Sequence, residues 1–341
     1  MSSAPLGSGR VSDQAPCLVT GATGFIGSAL VRQLRAGGLP VRGVARTSRN
    51  TAERDLTIVD LATGPIPPNL FEGIDTVYHL AAKTHDVYET DAARGDYWTI
   101  NLEGTQRLLE STRGHHVRRL VFVSSVKAQA EQTPQQIDES TPAEPTTAYG
   151  QSKLAAERLV MTEAARRGFE AVCLRFPLVY GPGQRGNLVR MIAAIDRGRF
   201  PPLPAGSNRR SMLHVENAVD ALMLAGSHPA AAGQTYTVTD ASPYSTREVY
   251  DLIRKALGKA PVKWTVPVWA FRTMALAGDA AHKLLGRRVG FDSEALQKLL
   301  GSAWFSAERI SRELGYRPKH ALGEAMPTLV AEYRANLRRT A

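Results

Sequence analysis

Tyr149 and Lys153 stand four residues apart in the segment Tyr149-Gly-Gln-Ser-Lys153. At helical pitch this spacing puts a phenol and an ammonium on one face. A phenol with a pKa of about 10 is a poor base at neutral pH. A neighbouring ammonium, together with the positive charge of an oxidised cofactor, favours the phenolate and lowers that value. Such a phenol takes a proton from a secondary hydroxyl or gives one to a ketone. Ser125 ends a predicted strand, Leu120–Ser125, and is placed to hydrogen-bond the same oxygen. Tyr-x-x-x-Lys is common by chance, so its meaning depends on the elements that position it.

The stretch CLVTGATGFIGSAL, Cys17 to Leu30, supplies the context. Cys17–Thr20 reads as a buried strand, Gly21, Gly24 and Gly27 as a tight loop, and the segment from Phe25 as a helix. A strand, a glycine loop and a helix N-terminus together form a cradle for a dinucleotide pyrophosphate. Gly21 serves the turn, Gly24 leaves room for the pyrophosphate, and Gly27 lets the helix lie close. With a nicotinamide dinucleotide in that cradle, hydride moves at the carbon whose oxygen Tyr149 serves. Lys153 is placed to hydrogen-bond the nicotinamide ribose.

Further strands are predicted at Pro40–Ala45, Thr57–Asp60, Asp75–Leu80 and Ala171–Arg175, with helices over 97–113 and 149–167 between them. Strands alternating with helices give a parallel sheet covered on both faces, which binds its ligand at the carboxyl ends of the strands. Arg46 ends the second strand without an acidic neighbour, which favours the 2′-phosphate of NADP(H) over the bare ribose of NAD(H). Beyond Phe176 the chain turns rich in Pro, Gly and Arg, with a strand at Gln234–Val238 and a helix at Thr246–Leu257. The apolar helix around Trp269 is expected to pack into a core rather than to lie on a membrane surface.

The 341 residues carry a net charge of +10, with 43% hydrophobic and 22% charged residues. These are values of a water-soluble globular chain. The basic residues are dispersed and lack the interleaved aromatics of single-strand binders, so the positive field suits a diphosphate-bearing small ligand better than nucleic acid. No apolar run is long enough for a membrane span, and residues 1–15 read as a flexible tail without a signal-peptide core. Cys17 and Cys173 fall in predicted buried strands, as small core residues of a reducing compartment do, so a cytoplasmic location is expected.

The segments TGATGFIG, HLAA, Asn101 in NLEGT, VSS, YGQSK, LRFPLVYGPG and LHVENAVDAL together resemble the extended short-chain dehydrogenase/reductase family, in its nucleotide-sugar epimerase/dehydratase branch. The resemblance spans roughly Pro16 to Glu332. It implies an α/β, doubly wound parallel Rossmann sheet over 16–176 and a smaller α/β substrate-binding part over 177–341, with the strand at 234–238 returning to the main sheet. It implies Ser125, Tyr149 and Lys153 as the catalytic triad. Cofactor contacts implied are Gly21, Gly24, Phe25, Ile26, Gly27, Arg46, Asp60, Leu61, Leu80, Ala81, Ala82, Asn101 and Pro177, besides Tyr149 and Lys153. Ser125, Asn187 and Arg210 are the implied substrate contacts, with Arg210 meeting a diphosphate. Lys83 and Lys127 are further candidates, Lys127 either binding a substrate anion, polarising a carbonyl or facing solvent. His214 is expected to be structural. No metal is implied, and a homodimer through the helices near 97–113 and 149–167 is.

Members of the branch that dehydrate sugars carry an Asp-Glu pair where this chain has Val126 and Lys127, so 4,6-dehydration is not expected. Lys83 falls one place before the lysine of galactose epimerases. The late arginine that grips the diphosphate has three candidates, Arg287, Arg288 and Arg317. Ser125-Val-Lys127 and Asn208-Arg-Arg-Ser211 resemble enzymes of bacterial surface polysaccharides that reduce 4-keto-6-deoxy hexosamines, as in making UDP-N-acetylquinovosamine. A nucleotide-sugar C4 ketoreductase is the favoured expectation. A UDP-sugar 4-epimerase with tightly held NAD, a reductase of non-sugar ketones and a non-catalytic NADP(H) sensor remain as alternatives.

Overall fold

The computed structural model describes residues 15–47, 56–84, 91–184, 186–204, 206, 208–285 and 291–340. The tail expected over residues 1–15 lies almost wholly outside this set, as do Arg287 and Arg288. The chain divides into two compact units. The first comprises residues 1–128, 145–175 and 219–236, and the second 129–144, 176–218 and 237–341.

A seven-stranded sheet organises the first unit, with strands β1 (Cys17–Thr20), β2 (Val41–Ala45), β3 (Leu56–Ile58), β4 (Thr76–His79), β5 (Arg119–Ser125), β6 (Glu170–Phe176) and, after β7 and β8 elsewhere, β9 (Gln234–Thr237). Their order is β3-β2-β1-β4-β5-β6-β9. The pairs β2/β3, β1/β2, β1/β4 and β4/β5 are parallel. The order reverses direction between β1 and β4, and the crevice outside their carboxyl ends is where such sheets take a ligand. Leu18, Val44, Val77, Leu120, Phe122 and Cys173 pack into one core with Leu108 and Val160. The third strand ends at Ile58, so Asp60 lies in the loop beyond it rather than at its tip.

Four helices position the site. Helix α1 (Phe25–Ala36) follows the glycine loop. The single helix expected over 97–113 is three pieces: α2 (Asp91–Tyr97), a π-helical turn over Trp98–Glu103, and α3 (Gly104–Ser111). Such a widened turn is a local adjustment that often marks functional positions, and here it carries Asn101. Helix α4 (Ala148–Arg167) starts where the Thr147 hydroxyl accepts from the Gly150 N–H at 3.1 Å, and stops at left-handed Gly168. Between these caps run good helix formers such as Leu154, Ala155, Ala156 and Glu157, which sustain its 20 residues.

The second unit contains the parallel pair β7 (Leu178–Tyr180) and β8 (Met212–His214), with helices α5 (Asn187–Asp196), α7 (Thr246–Ala256), α8 (Val268–Leu285), α9 (Ser293–Leu300), α10 (Glu308–Leu314) and α11 (Leu322–Thr340). Helix α6 (Val215–Ser227) begins in this unit and ends in the first. Tyr180, Ile192, Tyr250, Ile253, Leu322 and Leu329 share its core. The helix around Trp269 packs one face into the core, as expected, and leaves the opposite face exposed. Helix α8 buries Phe271, Ala275 and Gly278, while Trp269 is 69% exposed and Leu276 64%.

Candidate active site

Gly21 adopts a left-handed conformation, φ +68°, and a side chain there would come within 3.0 Å of the Ala81 nitrogen. At Gly27 a Cβ would lie 2.1 Å from the Gly21 carbonyl oxygen, so only glycine lets α1 close on the loop. Gly24 caps α1 with no side-chain hydrogen bond, and no acid occupies the first turn. The N–H groups of Phe25, Ile26 and Gly27 thus open a helix with nothing from a capping side chain, which is the electrostatic signature of an anion cradle. A dinucleotide pyrophosphate fits these residues.

Beneath that cradle lies a buried polar chain. The register pairs Thr20 with His79 across β1 and β4, and the Thr20 hydroxyl lies 2.7 Å from His79 Nδ1. The same oxygen accepts the N–H groups of Leu80 and Ala81, each at 3.1 Å, so its proton points to Nδ1. His79 Nε2 then donates to Thr105 Oγ1 at 2.9 Å, and Thr105 donates to the Asn101 carbonyl at 2.6 Å. These bonds require a neutral ring with its proton on Nε2. Burial, helped by the positive charge of Lys153, pushes His79 down to about 3. Asn101 receives the Lys83 N–H at 2.8 Å and donates both to the Lys83 carbonyl and to Ser152 Oγ, each at 3.1 Å. Ser152 in turn donates to the Tyr149 carbonyl at 2.8 Å. The chain ties Leu80–Ala81 to the helix carrying Tyr149, and it engages the Asn101 side chain entirely with protein. These bonds fix the Asn101 side chain between the loop after β4 and helix α4.

Tyr149, Ser125 and Lys153 are all buried within the first unit. Burial pushes the Tyr149 phenol up to about 12, against a hydrogen bond with Ser125 that works downward and with neighbouring Tyr97 adding to the rise. Lys153 is not among the protein groups that move the phenol. The Lys153 ammonium instead donates to the Val123 carbonyl at 2.7 Å and sits 4.1 Å from the centre of the Phe122 ring. Its own value falls to about 8 through burial, opposed chiefly by the charge of Glu157. Glu157, one turn further along α4, is held by Arg175 through Nε at 3.0 Å and Nη2 at 2.8 Å. Lys127 stands 6.0 Å from the centre of the Tyr149 ring, and its backbone N–H donates to Ser125 Oγ at 3.2 Å. Tyr97 meets Tyr149 edge-on, with ring centroids 5.6 Å apart.

The other implied contacts divide by unit. In the first, Asp60 Oδ1 accepts the Ala62 N–H at 2.9 Å, and Arg107 braces the same loop through the carbonyls of Ala62 and Gly64. Leu61 is buried and Arg46 is exposed beyond β2. Lys83 pairs with Asp96 at 2.6 Å, and Ala82 precedes it in the loop after β4. In the second unit, Pro177 joins β6 to β7 and Asn187 is exposed at the start of α5. Arg210 donates to the Gly301 carbonyl at 3.0 Å, and burial lowers its pKa. His214 is buried, accepts the Glu216 N–H on Nδ1 at 3.2 Å and stacks on His320 with centroids 4.7 Å apart. Sequence reasoning missed His79, Tyr97, Thr105, Ser152 and Glu157. Position on the helix face signals only Glu157, which follows Lys153 by four residues.

The chain matches the model of the NAD dependent epimerase/dehydratase family over residues 17–239. It belongs to that family. It is accordingly an enzyme of the NAD(P)-dependent short-chain dehydrogenase/reductase type. It is similar to the UDP-glucose 4-epimerase of Vibrio cholerae, with 30% identity over 317 residues, covering 90% of this chain and 92% of the relative. It shows the same 30% identity, over 312 residues, to a 4-hydroxy-2-methyl-3-oxo-4-farnesyl-3,4-dihydroquinoline-1-oxide ketoreductase of Stigmatella aurantiaca, covering 87% and 90%. Among solved structures, MoeE5 in complex with UDP-glucose and NAD superposes with a TM-score of 0.75 at 29% identity, covering 94% of this chain and 99% of that one.

Proposed function

We propose that the protein moves hydride at C4 of a nucleoside-diphosphate sugar, working mainly as a reductase of a 4-keto UDP-hexose or UDP-N-acetylhexosamine derivative. The observation that carries this reading is the Tyr149–Ser125 pair, buried on the same unit as the uncapped, glycine-rich start of α1. A bound nicotinamide dinucleotide supplies the two-electron carrier. The loop N–H groups would hold its pyrophosphate, and Leu80–Ala82 would form a floor, with the Leu80 and Ala81 N–H groups fixed by Thr20. Tyr149 gives its phenolic proton to the C4 carbonyl oxygen while Ser125 hydrogen-bonds that oxygen. With burial raising its pKa, the phenol carries its proton at neutral pH, as donation to a ketone requires. Lys153 steadies the site by its cation near Phe122 and Val123, and Lys127 faces Tyr149 where a dehydratase would need a carboxyl acid. Exposed Arg46, without an acid beside it, favours NADP(H).

Two observations favour neighbouring readings. Likeness to the Vibrio cholerae 4-epimerase and to a NAD complex supports epimerisation with tightly held NAD. Equal identity to the Stigmatella ketoreductase supports a non-sugar ketone. Denaturing the purified protein and weighing the dinucleotide it releases separates the first from the main proposal. An empty protein that binds NADPH and reduces a UDP-4-keto-6-deoxyhexosamine fits reduction, and near-stoichiometric NAD contradicts it. Competition by UDP against turnover is expected for a sugar nucleotide, and its absence points to the non-sugar ketone.

A further inference from the structure

The outward side of α8 is apolar where a water-facing helix would be polar. Phe271, Ala275 and Gly278 recur at helical spacing on its buried side, with the Phe271 ring 6.0 Å from that of Phe291. Opposite them on the helical wheel fall Trp269, Leu276 and Ala280, all exposed, with Thr273 between them. Trp264, just before the helix, is 64% exposed and extends the apolar surface. Exposed Lys263, Arg272, His282 and Lys283 lie in the same stretch. The one acid of the helix, Asp279, is held by Ser293, whose N–H and hydroxyl both donate to it.

We infer that α8 and the Trp264 segment dock on an anionic lipid bilayer surface. Charge decides the occupant. A stripe of tryptophan and leucine beside exposed cations, with its single acid capped, complements a phospholipid headgroup layer, into which indole rings settle at the polar–apolar boundary. The chain as a whole carries +10, which adds attraction to a negative leaflet. No helix among the described residues is long and apolar enough to cross a membrane, so contact is confined to the interface. The inference is independent of which sugar or ketone the active site takes.

The test is flotation of the full-length protein with vesicles of phosphatidylcholine alone or mixed with phosphatidylglycerol, at low and high salt. Binding to the mixed vesicles is expected, together with a blue shift of tryptophan emission and loss of binding to neutral vesicles. The Trp269→Gln/Leu276→Gln variant is expected to bind at least about tenfold more weakly with unchanged thermal midpoint and turnover. Arg272→Glu/Lys283→Glu is expected to lose the anionic preference. Absence of binding to anionic vesicles at low salt overturns the inference, as does binding that the first variant leaves intact. Concentration-dependent self-association abolished by Trp269→Gln/Leu276→Gln, without vesicle binding, would assign the face to a second copy of the chain instead.

Discussion

Helices α4 and α8 invert each other. Helix α4 buries a tyrosine, a serine, a lysine and a glutamate, while α8 exposes a tryptophan, a methionine and a leucine. Both depart from the usual sorting of side chains, and each departure needs a compensation. In α4 the compensation is internal. Ser152 is bonded to Tyr149 and Asn101, Lys153 to Val123, and Glu157 to Arg175, so little polarity is left to solvent and the residues stay fixed for chemistry. In α8 the described residues offer no such compensation for the exposed apolar side chains, and the bilayer contact inferred above would supply it. Misplaced polarity of either sign thus marks a helix to test for function, chemistry in α4 and docking in α8.

The comparison is broken most severely at Tyr149. Tyr149→Phe is expected to lower turnover by roughly 10²- to 10⁴-fold, while leaving the denaturation midpoint nearly unchanged, because a proton donor is removed and a ring is kept. Steady-state kinetics beside urea titration checks both halves. Glu157→Gln comes next, since it leaves the Arg175 cation buried against a neutral partner. A loss of about 3–5 kcal/mol in the urea-derived unfolding free energy is expected. Because Glu157 holds the Lys153 value up, any limb of the pH–rate profile that belongs to Lys153 should also move to lower pH in this variant.

Acid sharpens the picture of α4's support. His79 is neutral when folded, with a value near 3 against 6.5 in the unfolded chain. The unfolded state therefore binds the extra proton as pH falls below 6.5. Stability is full above that point and declines by up to about 1.4 kcal/mol per pH unit on the way down. Urea midpoints across the acid range should show this slope, and His79→Gln should flatten it. His214, lowered to about 4 by burial and by His320, adds a second, shorter decline. The smallest effect belongs to α8: Trp269→Gln should change the unfolding free energy by less than about 0.5 kcal/mol, since the ring is 69% exposed. A markedly larger loss would mean that the ring is covered by protein.

Much of α4 could be read from the sequence because its polar residues recur at a fixed spacing beside a glycine loop of fixed order. Strands β1, β4, β5 and β6 were legible for the same reason, as short apolar runs punctuated by glycine and small residues. The buried chain from Thr20 through His79 to Asn101 was not, since it depends on the strand register and on a π-helical turn that periodicity does not disclose. Arg119 reads as a surface charge, yet it is buried and bonded to Glu170 and to the carbonyls of Ala225 and His228. Helix α8 was legible in part: Phe271 and Ala275 pack inward as an apolar segment of its length does in most globular proteins, while the exposure of Trp269 and Leu276 follows only from the register of the helix.

The central claim is that the buried phenol of α4 serves hydride transfer at C4 of a sugar nucleotide. It is tested most directly by incubating the protein with UDP-hexoses deuterated at C4 and oxidised dinucleotide, then measuring deuterium in the recovered dinucleotide. The account predicts transfer by the unaltered protein and its loss in Tyr149→Phe. Retention of all deuterium at C4 of every UDP-hexose offered, while NADPH still reduces a non-sugar ketone, would contradict it.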